Sequence, residues 1–251
     1  MKAAGDVSRS ARLVVSPDVP GAPSVKGEGM PTGEVLLRFA IAAAAGYVLG
    51  SIPSGVIVSR LAGAKVDPLT QGSGKTGATN IQRTLGTDPA IVVAVLDILK
   101  GVAAVLVARF LVYPLGPAAT LGQQNVHAAI EAVAAFAALL GHNFSLFIGF
   151  KGGRGVATGG GAMLAMTPLA MVIGFVCLAV PVALTRYVSL GSILAAAASG
   201  ITALVLLLTG HDYLPHTIFA LAGATFIILS HRDNIERLLS GTERKLGQPA
   251  P

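Results

Sequence analysis

Charged residues are scarce in this chain of 251 residues: 12% are Asp, Glu, Lys or Arg, whereas 53% are hydrophobic. A soluble domain carries about 25% charged residues, and the mean hydropathy here is +0.72. The single cysteine, Cys177, excludes an internal disulfide and a cysteine metal site. Aromatic residues amount to 5%, and no aromatic platform stands between the basic residues, which argues against nucleic-acid binding. The composition predicts a membrane protein with several spans.

The first 33 residues differ in composition from the rest of the chain. They are rich in Pro, Gly, Ser and Val and contain no apolar run, which predicts a disordered N-terminal tail over 1–33. They lack the apolar core and cleavage site of a signal peptide. Met30 stands just before the first apolar run, so a translation start at Met30 is a hypothesis. Residues 34–246 are predicted to form one membrane domain, followed by a C-terminal tail at 247–251.

Apolar runs of about 20 residues predict membrane helices. The apolar stretch 155–186 is too long for one ordinary span, and we divide it at Thr167-Pro168 because proline disfavours the helix just before it. The expected fold is an all-α integral membrane protein with seven transmembrane helices, one of them short. These are predicted at residues 35–60, 88–112, 126–149, 155–166, 168–186, 188–209 and 214–231.

The distribution of Lys and Arg predicts the orientation of these spans. With seven spans, three basic inter-helix loops and the C-terminal tail fall on one side of the membrane. The loops on the other side, 113–125 and 210–213, contain neither Lys nor Arg. The positive-inside rule therefore places the N-terminus outside and the C-terminus in the cytoplasm. The basic residues of the 1–33 tail disagree with this orientation, and a start at Met30 would remove the disagreement.

A first motif, residues 72–83, reads GSGKTGATNIQR. A nucleotide-binding P-loop would need glycine at position 69, which is Leu69, and a preceding strand, so nucleotide binding is not expected. The glycines allow backbone N–H groups to converge on another anion. Ser73 and Asn80 add neutral hydrogen-bonding groups, and Arg83 adds a fork suited to phosphate. On this stretch alone, a polar turn between two helices is an equally good interpretation.

A second motif follows Lys151 and opens a helix, with Gly152, Gly153 and Gly155 around a basic Arg154. Glycines before a helix N-terminus are typical of an anion site. The alternative is helix packing through small residues. Both can hold, with Gly152, Gly153 and Gly155 serving the anion and glycines 159–161 serving packing.

A third motif lies in residues 230–245, where His231 and Asn234 share one helix face. We expect both to act in the site, with Arg232 and Glu236 forming an exposed ion pair. Ser189, in a short loop after Tyr187, can reach the same site.

Other polar residues receive structural interpretations. Asp97 and Lys100 lie three residues apart inside the second span, where charges usually pair, and we expect an internal pair. His142 is expected to be a packing histidine within the third span. In the loop on the opposite side, His211, Asp212 and His216 are expected to be solvated and not to bind metal.

Together these motifs resemble the bacterial acyl-phosphate-dependent glycerol-3-phosphate acyltransferases. The resemblance covers residues 36–246, and its motifs occur in the family's order and spacing. It rests on Gly50-Ser51-Ile52-Pro53, 72–83, Asp97-x-x-Lys100-Gly101, Gly141-His142-Asn143, 150–158, Tyr187-Val188-Ser189, and His231-Arg232-x-Asn234-Ile235 with Arg237-Leu238.

The resemblance implies a seven-helix domain in the bacterial inner membrane, with the site facing the cytoplasm. It implies that acyl phosphate and glycerol 3-phosphate react to lysophosphatidate and phosphate, without metal, nucleotide or other cofactor. It places Ser73, Arg83, Lys151, Ser189, His231 and Asn234 in the substrate pocket, and Gly152, Gly153 and Gly155 in a phosphate-binding loop. Asn80 joins them as a substrate-binding candidate from the first motif.

The proton acceptor has two candidates. His231 is the candidate base, with Asn234 beside it; alternatively, a substrate phosphate takes the proton and both residues position the substrates. This chain also departs from the family, which usually has Asn at the position of Lys75 and Lys at the position of Arg154.

Two other protein classes compete with the enzyme. A transporter for a phosphorylated or other anionic solute would carry polar groups near the bilayer midplane and internal repeats. A non-catalytic membrane scaffold would not need Gly, Arg, Lys and His clustered at one face. The motifs gather at one face and no repeat is evident, which favours an enzyme among membrane lipids.

Overall fold

The computed structural model describes residues 31–64, 67–117 and 119–248. The predicted Met30 start and nearly all of the predicted tail lie outside these residues. The described chain is all-α, as predicted. Its helices are α1 (Thr32–Ser51), α2 (Ser54–Leu61), α3 (Ala78–Leu85), α4 (Thr87–Val107), α5 (Leu121–Asn143), α6 (Val156–Met166), α7 (Pro168–Thr185), α8 (Val188–Leu208), α9 (Leu214–Ser230) and α10 (Arg232–Leu239).

Five stretches of the described chain are long and apolar enough to cross a membrane. They are Thr32–Leu61, Thr87–Val112, Leu121–Asn143, Pro168–Thr185 and Val188–Leu208. A sixth results if α9 and α10, which meet at a bend of 58°, are taken as one span. Helix α6, the short predicted element, has 11 residues. Five or six candidate spans are therefore present, while seven spans and the orientation of the termini remain predictions.

Helix α5 differs most from the prediction, since it runs from 121 to 143 and not from 126 to 149. It begins early because Thr120 caps it: the Thr120 hydroxyl accepts the Gln123 N–H, and the Gln123 side chain accepts the Thr120 N–H. It ends early because the chain turns back, with Ser145 and Lys151 paired through their backbones. The amphipathic helix α3 was not predicted at all.

Small residues bring the helices close together at several crossings. A side chain at Gly46 or Gly50 would overlap the backbone of α5, and one at Gly101 would overlap the backbone of α6. Gly161 lies in the same way against α4, which confirms its expected packing role. Gly160 does not pack: no described atom lies within 4 Å of where its Cβ would be.

A buried apolar cluster closes one end of the bundle. It combines the C-terminal halves of α4, α6 and α8 with the N-terminal parts of α7 and α9 and with Ala135 of α5. We call it the core cluster; its members are Val105, Ala135, Ala162, Met163, Met166, Ala170, Ala203, Phe219 and Ala220. The three sequence motifs lie at the opposite ends of the same helices, so this packing leaves the other end of the bundle free for a site.

Candidate active site

A cavity of about 380 Å³ opens where the three motifs meet. The chain runs up and down through the bundle, so the starts of α3, α6 and α8 lie beside the end of α9. Of the predicted site residues, the cavity is lined by Ser73, Asn80, Arg83, Gly155, Ser189, His231 and Asn234. It is also lined by Lys75, Thr79, Asp97, His142, Arg154 and Glu243.

The Asn80 side chain holds the first motif in shape. Its Oδ1 accepts the Ser73 N–H at 2.8 Å. Its Nδ2 donates to the carbonyls of Pro68, Gln71 and Lys75 at 2.9–3.1 Å. Because backbone carbonyls already occupy both amide hydrogens, Asn80 organises the loop that presents Ser73 and Lys75. Its predicted contact with substrate stays a prediction.

Lys75, Arg83 and Arg154 form a cluster of positive charge on the cavity wall. Burial lowers the pKa of all three, and the positive charge of Arg154 lowers the pKa of Lys75 further. Within the described chain none of the three forms an ion pair, and the buried Nε of Arg83 has no hydrogen-bond partner. Arg154 is anchored instead by donating from Nε to the Ser230 carbonyl at 3.1 Å. Cations without an ion-pair partner in a half-buried cavity favour a multiply charged anion such as phosphate.

His231, the first residue after α9, is 4% exposed. Its Nδ1 lies 2.8 Å from the Ile227 carbonyl, which can only accept, so Nδ1 carries the hydrogen and Nε2 is left as an acceptor. Burial lowers the pKa of His231 to about 4; the Ile227 carbonyl opposes this shift, and the charge of Arg154 adds to it. The ring is therefore neutral near pH 7.

Glu243, in the segment after α10, connects three residues of the site. Its Oε1 accepts from the Ser189 hydroxyl at 3.1 Å and from Asn234 Nδ2 at 2.9 Å. Its Oε2 accepts from Arg237 Nε at 2.8 Å. This arrangement leaves Asn234 Oδ1 buried without a partner in the described chain, on a residue that lines the cavity.

Sequence reasoning missed Glu243, although it lies inside the third motif. Three carboxylates occur there, and nothing in their spacing singles out the one that folds back. The ion pair predicted between Arg232 and Glu236 is wrong, because the Arg232 guanidinium lies 3.4 Å from its neighbour Asp233 and both are exposed.

Three residues of the second motif do not reach the cavity. Lys151 is exposed. A side chain at Gly152 would overlap the His142 carbonyl, one at Gly153 would overlap the His142 ring, and the Gly153 N–H is taken by the His142 carbonyl at 3.0 Å. The two glycines let the loop pack on the end of α5, and of the two cations in this motif Arg154 is the one that lines the cavity. Substrate binding by Lys151, Gly152 and Gly153 stays a prediction.

Gly155 lies at the cavity, at the start of α6. Its φ of +81° is in the left-handed region that favours glycine. This turn directs α6 away from the loop, so that the first N–H groups of the helix lie beside the cations, as in an anion site.

A buried cluster of polar side chains, Asp97, Lys100 and His142, lies at the cavity. Asp97 pairs with Lys100 at 2.9 Å, as predicted, and Lys100 also donates to the Ile52 carbonyl at 3.0 Å. His142 lies 3.6 Å from the same carboxylate. These contacts join α4 to α5 and to the segment between α1 and α2.

The loop on the opposite side was expected to be solvated, and this is wrong for two of its residues. His216 is buried between Asp212 at 3.2 Å and Glu131 at 3.0 Å, and Glu131 also pairs with Arg109 at 2.6 Å. The contact between Glu131 and His216 could not be predicted from sequence spacing, because Glu131 lies in the middle of α5, far from His216 in the chain. Within the described residues, no group of three or more His, Cys, Asp or Glu side chains could hold a metal ion.

Comparison with known proteins identifies the family. Residues 40–241 match the family model described as Glycerol-3-phosphate acyltransferase. Glycerol-3-phosphate acyltransferase 2 of Moorella thermoacetica is 44% identical over 80% of this chain and 94% of its own length. Glycerol-3-phosphate acyltransferase of Synechococcus elongatus is 41% identical over 85% and 97%.

Two crystal structures share the fold. They show PlsY (YgiH), an integral membrane glycerol 3-phosphate acyltransferase, in its glycerol 3-phosphate form and its lysophosphatidic acid form. Both are 33% identical to this chain and cover 86% of it, with TM-scores of 0.69 and 0.68. The family match covers the first two motifs, the third motif as far as residue 241, and the helices that carry them. This chain belongs to the glycerol-3-phosphate acyltransferase family of integral membrane enzymes.

Proposed function

We propose that this enzyme transfers an acyl group from acyl phosphate to the sn-1 hydroxyl of glycerol 3-phosphate, giving lysophosphatidate and inorganic phosphate. The observation that carries the proposal is the cavity, which joins three unpaired cations at one end to an apolar interior at the other. Such a cavity suits an amphiphilic phosphate beside a soluble one. The names of the relatives support glycerol 3-phosphate as acceptor, and the neighbour's lysophosphatidic acid form supports the product.

Cations and neutral hydrogen-bond donors both contribute to substrate binding. Arg83 and Arg154 are placed to hold phosphate oxygens, Arg83 through its unpartnered Nε and Arg154 beside the first turn of α6. Ser73 and Ser189 add hydroxyl donors at the same wall. The carbonyl oxygen of the acyl phosphate gains negative charge as it is attacked, and preorganised donors and cations stabilise that charge without reorganising.

The chemistry needs little acid catalysis, because phosphate is already a good leaving group. The sn-1 hydroxyl oxygen attacks the acyl carbon and forms the ester bond. The bond between that carbon and the phosphate oxygen breaks, and its electron pair leaves with inorganic phosphate. Asn234 Oδ1, buried and unpartnered, is suited to orient the attacking hydroxyl.

The hydroxyl proton has two possible acceptors. His231 Nε2 is unprotonated near pH 7, and the negative charge of bound substrates raises the pKa of the ring toward a useful range. A phosphate oxygen of a substrate is the other acceptor, in which case His231 positions the reactants. The pH dependence of catalysis distinguishes the two.

We place the cavity mouth on the cytoplasmic side of the bacterial inner membrane, with the N-terminus outside. The basic loops adjoin this mouth, and the positive-inside rule assigns such loops to the cytoplasm. A transporter for an anionic solute is supported less well, because the cavity ends on the core cluster and does not continue through the bundle.

The test uses purified protein in detergent with palmitoyl phosphate and labelled glycerol 3-phosphate, in the absence of nucleotide, acyl-CoA and added metal. We expect labelled lysophosphatidate. A parallel reaction with palmitoyl-CoA tests the donor: product from the thioester alone would overturn acyl phosphate as donor. If folded protein forms no product from either donor, uptake of glycerol 3-phosphate into proteoliposomes would favour the transporter.

A further inference from the structure

The apolar part of the cavity runs along one face of α9. It starts at His231 and passes Ile227, Ala224 and Gly223 before it reaches Ala220 and Phe219. Residues at these intervals share one helix face. The same channel is lined on α8 by Ser192, Ala195, Ala196 and Ser199, and on α6 by Gly159, Gly160 and Met163.

Small side chains widen this channel at several positions, among larger lining residues such as Leu139, Phe175 and Leu178. Gly160 faces open space, with no described atom within 4 Å of where its Cβ would be. At Gly223 a Cβ would have only ordinary contacts, 3.6 Å from Leu139 and 3.8 Å from the Phe219 ring. Glycine at these positions is not required by a close helix crossing, so what it provides is channel width.

Phe219 and Met163 form the closed end of the channel. Both line the cavity, both belong to the core cluster, and they are 4% and 5% exposed. Behind them the cluster continues with residues such as Val105 and Met166, which do not line the cavity. The channel therefore ends where the packed core begins, and the Phe219 ring is the largest side chain at that boundary.

The length of the channel follows from helix geometry. Phe219 lies on α9, and His231, the residue directly after α9, is twelve residues further along the chain, which is ~18 Å at about 1.5 Å per residue. An extended alkyl chain of about 14 carbons covers about the same distance, because each carbon–carbon bond of about 1.5 Å in the zigzag chain advances it by about 1.3 Å. A straight chain whose carboxyl carbon lies beside His231 would reach Phe219 with its terminal methyl group.

We infer that Phe219 is the stop for the acyl chain and sets the longest chain that the enzyme accepts efficiently. The inference rests on the proposed function, because it assigns the channel to the acyl group of acyl phosphate. It names the substrate class more narrowly: unbranched acyl phosphates of about 14 carbons, with longer chains forced to bend or to leave the channel.

The test compares acyl phosphates from decanoyl to eicosanoyl phosphate as donors, at fixed glycerol 3-phosphate, and measures kcat/KM for each. Phe219→Ala opens space at the closed end, so the optimum should move to longer chains by about two to four carbons. The ratio of kcat/KM for stearoyl over myristoyl phosphate should rise about tenfold, since each newly buried methylene adds binding free energy.

Phe136→Ala is the matched control. Phe136 packs against the same core cluster but does not line the cavity, so this variant should lose stability without changing the chain-length profile. Gly160→Leu is the converse variant. It places a side chain in the open channel at a helical position that tolerates leucine well, and it should lower kcat/KM more for stearoyl and myristoyl phosphate than for decanoyl phosphate.

The outcomes separate this inference from the proposed function. An unchanged chain-length profile in both Phe219→Ala and Gly160→Leu would overturn the stop and leave the proposed function standing. No product from folded wild-type protein at any chain length would overturn the proposed function, and the inference with it.

Discussion

Asn234 donates a hydrogen bond from Nδ2 to Oε1 of Glu243, at a distance of 2.9 Å. The two residues lie on different segments, Asn234 in the first turn of α10 and Glu243 beyond its end. Glu243 is 8% exposed and accepts from three side chains at once. This contact fixes which way the Asn234 amide faces, on a residue that lines the cavity and whose buried Oδ1 has no partner in the described chain.

Glu243→Gln should reduce kcat strongly. The amide that replaces the carboxylate cannot accept from Ser189, Asn234 and Arg237 together, so Asn234 loses its fixed orientation. The loss of one charge-assisted hydrogen bond is worth about 1.5–3 kcal/mol, or roughly 10- to 100-fold in rate. Steady-state kinetics checks this. Glu236→Gln, an exposed carboxylate on α10, is the matched control and should keep wild-type kcat; equal loss in both variants would contradict the assignment.

Arg154→Ala should raise KM for glycerol 3-phosphate strongly, whereas Lys151→Ala should leave it nearly unchanged. Arg154 lines the cavity, whereas Lys151 is exposed outside it. Removal of a cation that holds phosphate should raise KM for glycerol 3-phosphate by about 10- to 100-fold. Lys151→Ala should change KM by less than about twofold, since an exposed charge contributes little. A larger effect of Lys151→Ala than of Arg154→Ala, measured at the same ionic strength, would restore Lys151 as the phosphate ligand.

The second motif shows what sequence patterns can and cannot locate. Glycines and cations before a helix indicated an anion site, and α6 does begin at the cavity. The pattern could not decide which of two cations, three residues apart, faces inward. That choice depends on the turn from Ser145 to Lys151, which exposes Lys151 and packs Gly153 against His142.

Helices and local pairs were predictable where the interaction is local in sequence. Most helices were predicted from the apolar runs, and the Asp97–Lys100 pair was predicted from a spacing of three residues. Glu131 with His216, and Glu243 with Ser189, are separated by 85 and 54 residues. Contacts of that kind are set by helix packing, so a single sequence did not reveal them.

Lys75→Asn should weaken substrate binding and stabilise the fold. It introduces the residue expected at this position from the resemblance to the acyltransferase family. Burial and the charge of Arg154 both lower the pKa of Lys75, so the charged form is disfavoured at this position. Without the ammonium group, KM for the phosphate substrates should rise by about 3- to 10-fold, and the melting temperature in detergent should rise. Lys75→Arg, which keeps a cation, is the control. A lower KM in Lys75→Asn would show that Lys75 does not contact the phosphates.

His231 should make the protein less stable in mild acid. Its pKa is about 4 in the folded state and 6.5 ordinarily, so between these values the unfolded chain binds more protons than the folded one. Stability therefore falls as the pH drops through this window, by about 3 kcal/mol over its full width. Thermal unfolding from about pH 7.5 to about pH 4 measures it. His231→Gln should flatten the decline, and parallel declines in both proteins would contradict the shift.

The acid limb of kcat should reveal which group takes the proton from the sn-1 hydroxyl. If His231 Nε2 is the base, protonation of the ring in the substrate complex switches catalysis off, and His231→Gln should lower kcat by about 100-fold or more and remove the limb. If a substrate phosphate is the base, the same variant should retain the limb at a lower plateau, because the phosphate still titrates. Measuring kcat against pH at saturating substrates for both proteins therefore distinguishes a base from a positioning residue, which a single activity value cannot do.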